Sequence, residues 1–409
     1  MSRHKIPKGI YGVLSFGVII ALLSFGCGRG KDSTAGGISS FGFKKQFVIE
    51  ISNPGSLPLA NHPVVLDIAT VLKSVPDFSP SDFALFEDSG KELKIIPSQA
   101  DDLDQDANPE ELAFLATLPA ASTTRIICGY ASDGKAALAV SPRTYARLAW
   151  EEQDANIGWE SNCAAYRFYW GQLEAFGKLD NRLIMSTFDA QYTYHDMMDW
   201  GMDILKIGNA SGLGAISIWE NDTRIPTINA VGKGDVQYAR KVVGTGPVRA
   251  IARVDITGIQ PAESGYGVTL IMSAFTDNRF SRQDIVLRSA AGGNLVYSPG
   301  IQKLHGETWS WDKDKGFLAT WGEGAQGAGE VGLGLMFSPE SYAGFSENEL
   351  DRYVKLSAEA GAKQTFWILG GWHQGIGAPA APQAENWARD VEETGIRLRT
   401  PLGIRILGE

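Results

Sequence analysis

The chain has 409 residues, 44% of them apolar, with 47 acidic against 37 basic side chains and a formal charge of −10 at neutral pH. That balance excludes a nucleic-acid surface of the usual kind, because phosphate backbones are held by basic faces. A small anionic ligand needs only a local basic pocket and is not excluded; the length, more than one typical domain, is ample for a large core.

At the start of the chain, Arg3, Lys5 and Lys8 precede an apolar run from Ile10 to Phe25 that ends at Gly26-Cys27. This is the layout of a secretory signal, too short and wrongly flanked for an ordinary membrane span. Leu23-Ser24-Phe25-Gly26-Cys27 resembles a bacterial lipobox, with Gly26 as the small residue before the modified cysteine and Ser24 where Leu is usual. The other reading is a plain signal peptide with an incidental cysteine. The expectation is that residues 1–26 are removed, that Cys27 is lipidated and anchors the protein in the bacterial cell envelope, periplasm or outer membrane, and that residues 27–43 are a flexible tether. Without Arg3, Lys5 and Lys8 the basic count falls to 34 against 47 acidic residues, a charge of −13.

Residues 44–132 predict a small Ig-like β-sandwich. Phe47–Ile51, Pro63–Leu66, Phe83–Phe86, Lys94–Pro97, Leu112–Leu115 and Arg125–Cys128 are short apolar runs, and turn signals such as Asn53-Pro54-Gly55 separate them. Ala131–Pro142 reads as a linker. Residues 143–409 predict a large antiparallel β-supersandwich, making the chain all-β. Val248–Ile256 alternates as a half-buried strand; Val331–Phe337 alternates with glycine on its second face; Ala362–Leu369 is apolar on both. Only Gln383–Glu393 reads as a helix. Cys128 and Cys163 read as two buried thiols rather than a disulfide, and no cysteine/histidine spacing suggests zinc.

The first feature with chemistry is the run Asp101–Glu111. Asp102, Asp104 and Asp106 alternate as in calcium loops, where hard oxygens at every second position wrap one cation. Ala107 replaces the usual sharp-turn glycine, and Ala113 stands where a distal Glu is expected. The bland reading is a solvated acidic turn. Next come Gly158-Trp159-Glu160-Ser161 and Tyr166-Arg167-Phe168-Tyr169-Trp170. Strand parity puts Tyr166, Phe168 and Trp170 on one side and Arg167 and Tyr169 on the other. The aromatics and Glu160 suit a sugar, and Arg167 a carboxylate; a core strand with a snorkelling arginine is the alternative.

The densest constellation is Tyr192–Asp196 with Asp199–Gly208. It joins His195, two phenols, three carboxylates, Trp200 and Lys206. Imidazole titrates near neutrality, so His195 suits a general base or acid; a hydrogen-bonded histidine at a strand end is the plainer option. If Gly201–Ile207 is one strand, Asp203 and Lys206 face opposite sides. Farther on, His305 with Trp309 and Trp311, and Trp372-His373 between glycines, could line a carbohydrate cleft. No nucleotide fingerprint or GxSxG is present.

The acidic loop, Gly158–Ser161 with Tyr166-Arg167, and His195 with Gly201–Gly208 resemble the domain-of-unknown-function 4861 family over nearly the whole mature chain. The resemblance implies exported products of polysaccharide-utilisation loci, found beside pectin- and ulvan-degrading lyases and unsaturated-uronyl hydrolases. It also implies a sandwich akin to exo-acting rhamnogalacturonan lyases and galactose-mutarotase-like folds, with an oligosaccharide dehydratase among the relatives. The combined expectation is an enzyme that acts by elimination, as a lyase or dehydratase, on uronic-acid-containing oligosaccharides. His195 would be the base, Tyr194 or Tyr192 the acid, and Arg167 or Lys206 would neutralise the uronate carboxylate. Trp159, Glu160, Tyr166, Trp200, Asp203, His305, Trp372 and His373 would hold the sugar, and calcium would sit at Asp102, Asp104 and Asp106. A non-catalytic glycan-binding lipoprotein and a glycoside hydrolase are the rivals.

Overall fold

The computed structural model describes residues 37–90, 92–132, 140–148, 156–188, 194–229, 233–325, 327–378 and 383–408. Cys27 and the signal-like segment, most of the tether, and Tyr192 lie outside the described residues. Alternation becomes strand where the sequence shows it, with ends shifted slightly: Val248–Ile256 is met by Arg249–Thr257, and Ala362–Leu369 by Lys363–Trp372. The chain is an all-β sandwich protein built from antiparallel sheets.

The first sandwich packs a five-stranded sheet, ordered Gly403–Gly408, Phe43–Asn53, Ser122–Ser132, Phe83–Asp88 and Leu93–Ile96, on a three-stranded sheet of Leu59–Asp67, Glu111–Leu118 and Ser98–Asp101. Inward residues of both, among them Phe47, Ile49, Leu85, Phe114 and Ile126, make its core, as alternating strands require. The edge strand comes from the far end of the chain: Gly403–Gly408 pairs with Phe47–Ser52. The sequence division at residue 143 therefore does not hold for these six residues. They are mostly exposed or half-buried, so their composition carries no mark of the partner strand.

The larger part sets an eight-stranded sheet against two five-stranded sheets. Leu213, Leu270, Ile285, Leu333, Phe366 and Tyr297 belong to the core between them. Helix Ala384–Arg399 covers the outer face of the eight-stranded sheet, longer than predicted and ending with Arg397 and Arg399 at the negative end of its dipole. Trp387 and Val391 of the helix dock where Gly332, Gly334 and Gly371 leave room: a Cβ at Gly334 would lie 2.7 Å from Val391 and one at Gly371 2.5 Å from Trp387. This explains the glycines on the second face of Val331–Phe337. The first sandwich leans on the same face through Ala113 and Leu115, beside Phe275 and Phe280. Arg249 clamps the junction, with Nε 2.8 Å from Asp101 and a terminal nitrogen 2.6 Å from Glu111. Both cysteines among the described residues are free thiols; Cys128 is buried as expected, whereas Cys163 is only half-buried, in the bend before Ala165.

Candidate active site

The site lies on the outer face of the five-stranded sheet ordered Gly201–Asp203, Gln172–Lys178, Ala165–Tyr169, Asn156–Ser161 and Thr144–Leu148. Tyr166 and Phe168 enter the main core, so Arg167 and Tyr169 face out, as parity predicts. A two-residue turn at Trp170-Gly171 then places Glu174 opposite Arg167, and the next pairing places Asp203 opposite Phe176. Glu160 and Lys178 project from the same face. Residues 179–188 and 194–200 run across it, with Ile184, Met185, Phe188, Tyr194 and Trp200 packed on Ala165 and Phe176. Over Arg167 the cover stops. There a cleft of about 660 Å³ opens, walled by Tyr169, Glu174, Tyr194, His195, Lys206 and Ala325 among others.

Gly201 makes the return tight enough to bring these groups together. Its φ of +131° is outside the range L side chains adopt. The strand ends at Asp203, and Asp203 N–H donates to the Tyr194 carbonyl at 2.8 Å. Ending there cancels the parity argument that would have separated Asp203 from Lys206; Leu205, Lys206 and Ile207 all line the cleft. Lys206 is exposed and, among the described residues, pairs with no carboxylate.

Asp203 is fully buried, and its Oδ2 has no hydrogen-bond partner. That oxygen lies 3.5 Å from His195 Nδ1 and 3.7 Å from Arg167. Asp203 raises the imidazole above its ordinary pKa, first through its side-chain contact with Nδ1 and then through its charge, against the opposing effect of burial. With Nδ1 turned to Asp203, Nε2 is left for the cleft. Arg167, only 3% exposed, donates to Glu174 and to the Tyr194 hydroxyl, and its guanidinium lies over the Tyr169 and Tyr194 rings at 4.8 and 5.0 Å. Burial pushes the Glu174 carboxyl up to about 7; Arg167 opposes the rise and Asp203 adds to it.

Of the residues expected to hold sugar, several sit elsewhere. Trp159 is fully buried, donates to Ser281 at 2.7 Å and stacks on Tyr166, itself inaccessible. Glu160 is sealed in a buried pair with Lys178. Trp200 is packed beside Phe176 and Phe188, and Trp372 donates to the Ala328 carbonyl from within the core. His373 lies against Gly329 and the Glu330 carbonyl, and His305 pairs with Glu323 on the surface, 2.8 Å away. Neither lines the cleft. Trp309 and Trp311 sandwich Phe345, with Arg352 over Trp309 at 4.1 Å. Trp309 is exposed and Trp311 half-buried, and through Phe345 they zip an edge strand of the eight-stranded sheet to an edge strand of its neighbour, away from the cleft. Arg167 departs from expectation too: its partners are protein groups, so it positions Tyr194 and the carboxylates rather than meeting a substrate carboxylate. Glu174, which sequence reasoning missed, and Tyr169 are the added cleft residues.

The acidic loop converges. Carboxylate oxygens of Asp102, Asp104, Asp106 and Glu110 lie within 4.8 Å of one another. Ala107 takes a φ of +74° where glycine is usual, and Asp102 caps the turn by accepting from Gln105 and Ala107 N–H at 2.6 and 2.7 Å. An all-oxygen, hard donor set of this kind fits calcium. Glu111, next in sequence, turns away to Arg249.

A family model described as a domain of unknown function (DUF4861) matches residues 51–404. No curated protein matches the chain. An alpha-mannosidase from Enterococcus faecalis aligns with 90% of the chain at 9% identity and a TM-score of 0.43, and a GH36 alpha-galactosidase from Geobacillus stearothermophilus with 60% at 11% identity and 0.31. The chain spans 47% and 42% of those two proteins.

Proposed function

We propose that this chain, which belongs to the DUF4861 family, is a carbohydrate-active enzyme that eliminates across C4–C5 of a uronate in an oligosaccharide, as a lyase or dehydratase. The observation that carries the reading is the buried, unpartnered Asp203 oxygen behind His195 Nδ1, at the floor of an open cleft. His195 Nε2 takes the C5 proton, which the adjacent carboxylate makes weakly acidic; Asp203 holds the ring and offsets the charge it gains. Lys206 neutralises the uronate carboxylate while negative charge builds on it. Arg167 donates to the Tyr194 oxygen, so the phenol keeps its own proton to give to the leaving C4 oxygen. The C5–H and C4–O bonds break and a C4–C5 double bond forms; the leaving group is a sugar hydroxyl in a lyase and water in a dehydratase. Tyr169, with Leu205 and Ile207, offers the apolar wall for the ring. The enzyme would work from a lipid anchor at Cys27 in the bacterial envelope.

A glycoside hydrolase is the second reading. One terminal nitrogen of Arg167 meets both Glu174 and Asp203, two carboxyls of the kind such chemistry needs. A screen of pectic, ulvan and glycosaminoglycan oligosaccharides by mass spectrometry and ultraviolet absorbance separates the readings. Unsaturated-uronate absorbance, or a product lighter by one water, supports elimination. Uptake of one water without absorbance sinks it in favour of hydrolysis, and intact glycans that raise the melting temperature point to a binding protein. His195→Ala should abolish the absorbance change in a folded protein, since the ring is largely exposed.

A further inference from the structure

The residues that carry Tyr194 and His195 have little backbone ladder of their own. Between Leu179 and Trp200 the described residues hold one 3₁₀ turn, Met185–Thr187, and near the end a bridge from Met198 to Gly201 and the bond from Asp203 N–H to the Tyr194 carbonyl. Those contacts hold the end of the loop; its first part needs another anchor. The sheet face beneath supplies it. The Glu160 carboxylate accepts from Ile184 N–H at 3.0 Å and Met185 N–H at 2.8 Å. Lys178 holds that carboxylate from the other side at 3.0 Å and also donates to the Ser161 carbonyl at 2.9 Å. Both side chains are wholly inaccessible. Arg147 grips the same turn through the Met185 and Phe188 carbonyls. From there Phe188 stacks on Tyr194 with ring centroids 5.4 Å apart, and Tyr194 leads directly to His195.

A buried ion pair is weak support for stability, because well-packed apolar residues of the same volume do as well or better. What this pair does instead is name two particular backbone amides, and so one placement of the loop. We infer that the Glu160–Lys178 pair is a positioning device for the loop that brings Tyr194 and His195 to Arg167 and Asp203. It rests on the proposal that the His195 cleft is the working site, and it concerns residues that touch no substrate.

The test needs no substrate, so a failure of the elimination reading would leave it intact. In Glu160→Met/Lys178→Met both charges go, the volume is nearly kept, and the two amides lose their side-chain acceptor. The His195 imidazole is titrated by NMR in this variant, in the wild type and in Val391→Ala, which opens a cavity under the remote helix and controls for general loosening. The double variant should titrate at lower pH than the wild type, nearer ordinary imidazole, because Asp203 no longer stands behind the ring. Val391→Ala should titrate as the wild type does. An unmoved His195 titration in the folded double variant overturns the inference. If that variant does not fold, amide hydrogen exchange in the wild type decides: Ile184 and Met185 should be protected like sheet amides, and exchange at the rate of an open loop overturns it.

Discussion

The two ends of one sheet face carry nearly the same residues and reach opposite outcomes. At the Glu160–Lys178 end every polar atom of the pair is met by protein, and the loop lies flat over it. At the Arg167–Asp203 end the charges are as deeply buried, yet one oxygen of Asp203 has no hydrogen-bond partner, with Arg167 3.7 Å away and an exposed histidine 3.5 Å away. Burial of charge alone therefore does not mark a site. A satisfied pair specifies where the chain goes, whereas an unsatisfied atom at the edge of a cleft is held ready for a proton or a ligand.

The contrast breaks most directly at Asp203. Asp203→Asn keeps the shape and removes the charge behind His195. Turnover should fall about 100-fold or more, the order expected when a base loses its orienting carboxylate. The pH profile gives the sharper reading. A base must be neutral to act, so wild-type kcat/KM should rise with pH through an inflection above the ordinary imidazole value of 6.5, because Asp203 raises the ring. In the variant the inflection should move to lower pH. A reduced rate with an unmoved inflection would remove His195 from the role of base.

Glu174 sharpens the comparison through stability. Its folded carboxyl titrates near 7 against an ordinary 4.5, so the folded state holds the proton more tightly than the unfolded chain does. The stabilisation this group adds is complete below about pH 4.5 and is lost as pH climbs through 7. In Glu174→Gln the amide stays neutral throughout. The melting-temperature advantage of wild type over variant should therefore shrink by several degrees between pH 4.5 and 7; an advantage that grows with pH would mean Glu174 is ionised, its pair with Arg167 outweighing burial.

Much of this end was legible before any coordinates. Parity in Ala165–Tyr169 set Arg167 and Tyr169 apart from the core, and the Trp170-Gly171 turn, had its register been followed, would have set Glu174 opposite Arg167. The tryptophans were misleading for a physical reason. An indole that stacks on a sugar and one that fills a core have the same composition and spacing, and only the neighbours distinguish Trp159 or Trp372 from a platform. Lys206 lines the cleft as expected, although a period of two continued past Asp203 would set the two apart, because the strand stops at Asp203. The reach of Leu179–Trp200 across the sheet has no period to read at all; it depends on hydrogen bonds between residues 24 and 25 positions apart, Glu160 to Ile184 and Met185.

The smallest expected effect concerns the acidic loop, a third charged cluster, in which four carboxylates crowd together. Backbone N–H groups from Leu103 to Asn108 partner these oxygens, and calcium would relieve the repulsion among the carboxylates. Calcium at 100 times its dissociation constant would add about 2.7 kcal/mol to a folded state that alone binds it. For a protein of this size that is a rise of a few degrees in melting temperature, reversed by chelator. The loop docks on the Val242 carbonyl and Lys241, on the sheet that does not carry the cleft, so turnover should stay the same. A melting curve indifferent to calcium would make the loop a solvated acidic turn, while calcium-dependent turnover would tie it to the cleft and undo the separation argued between them.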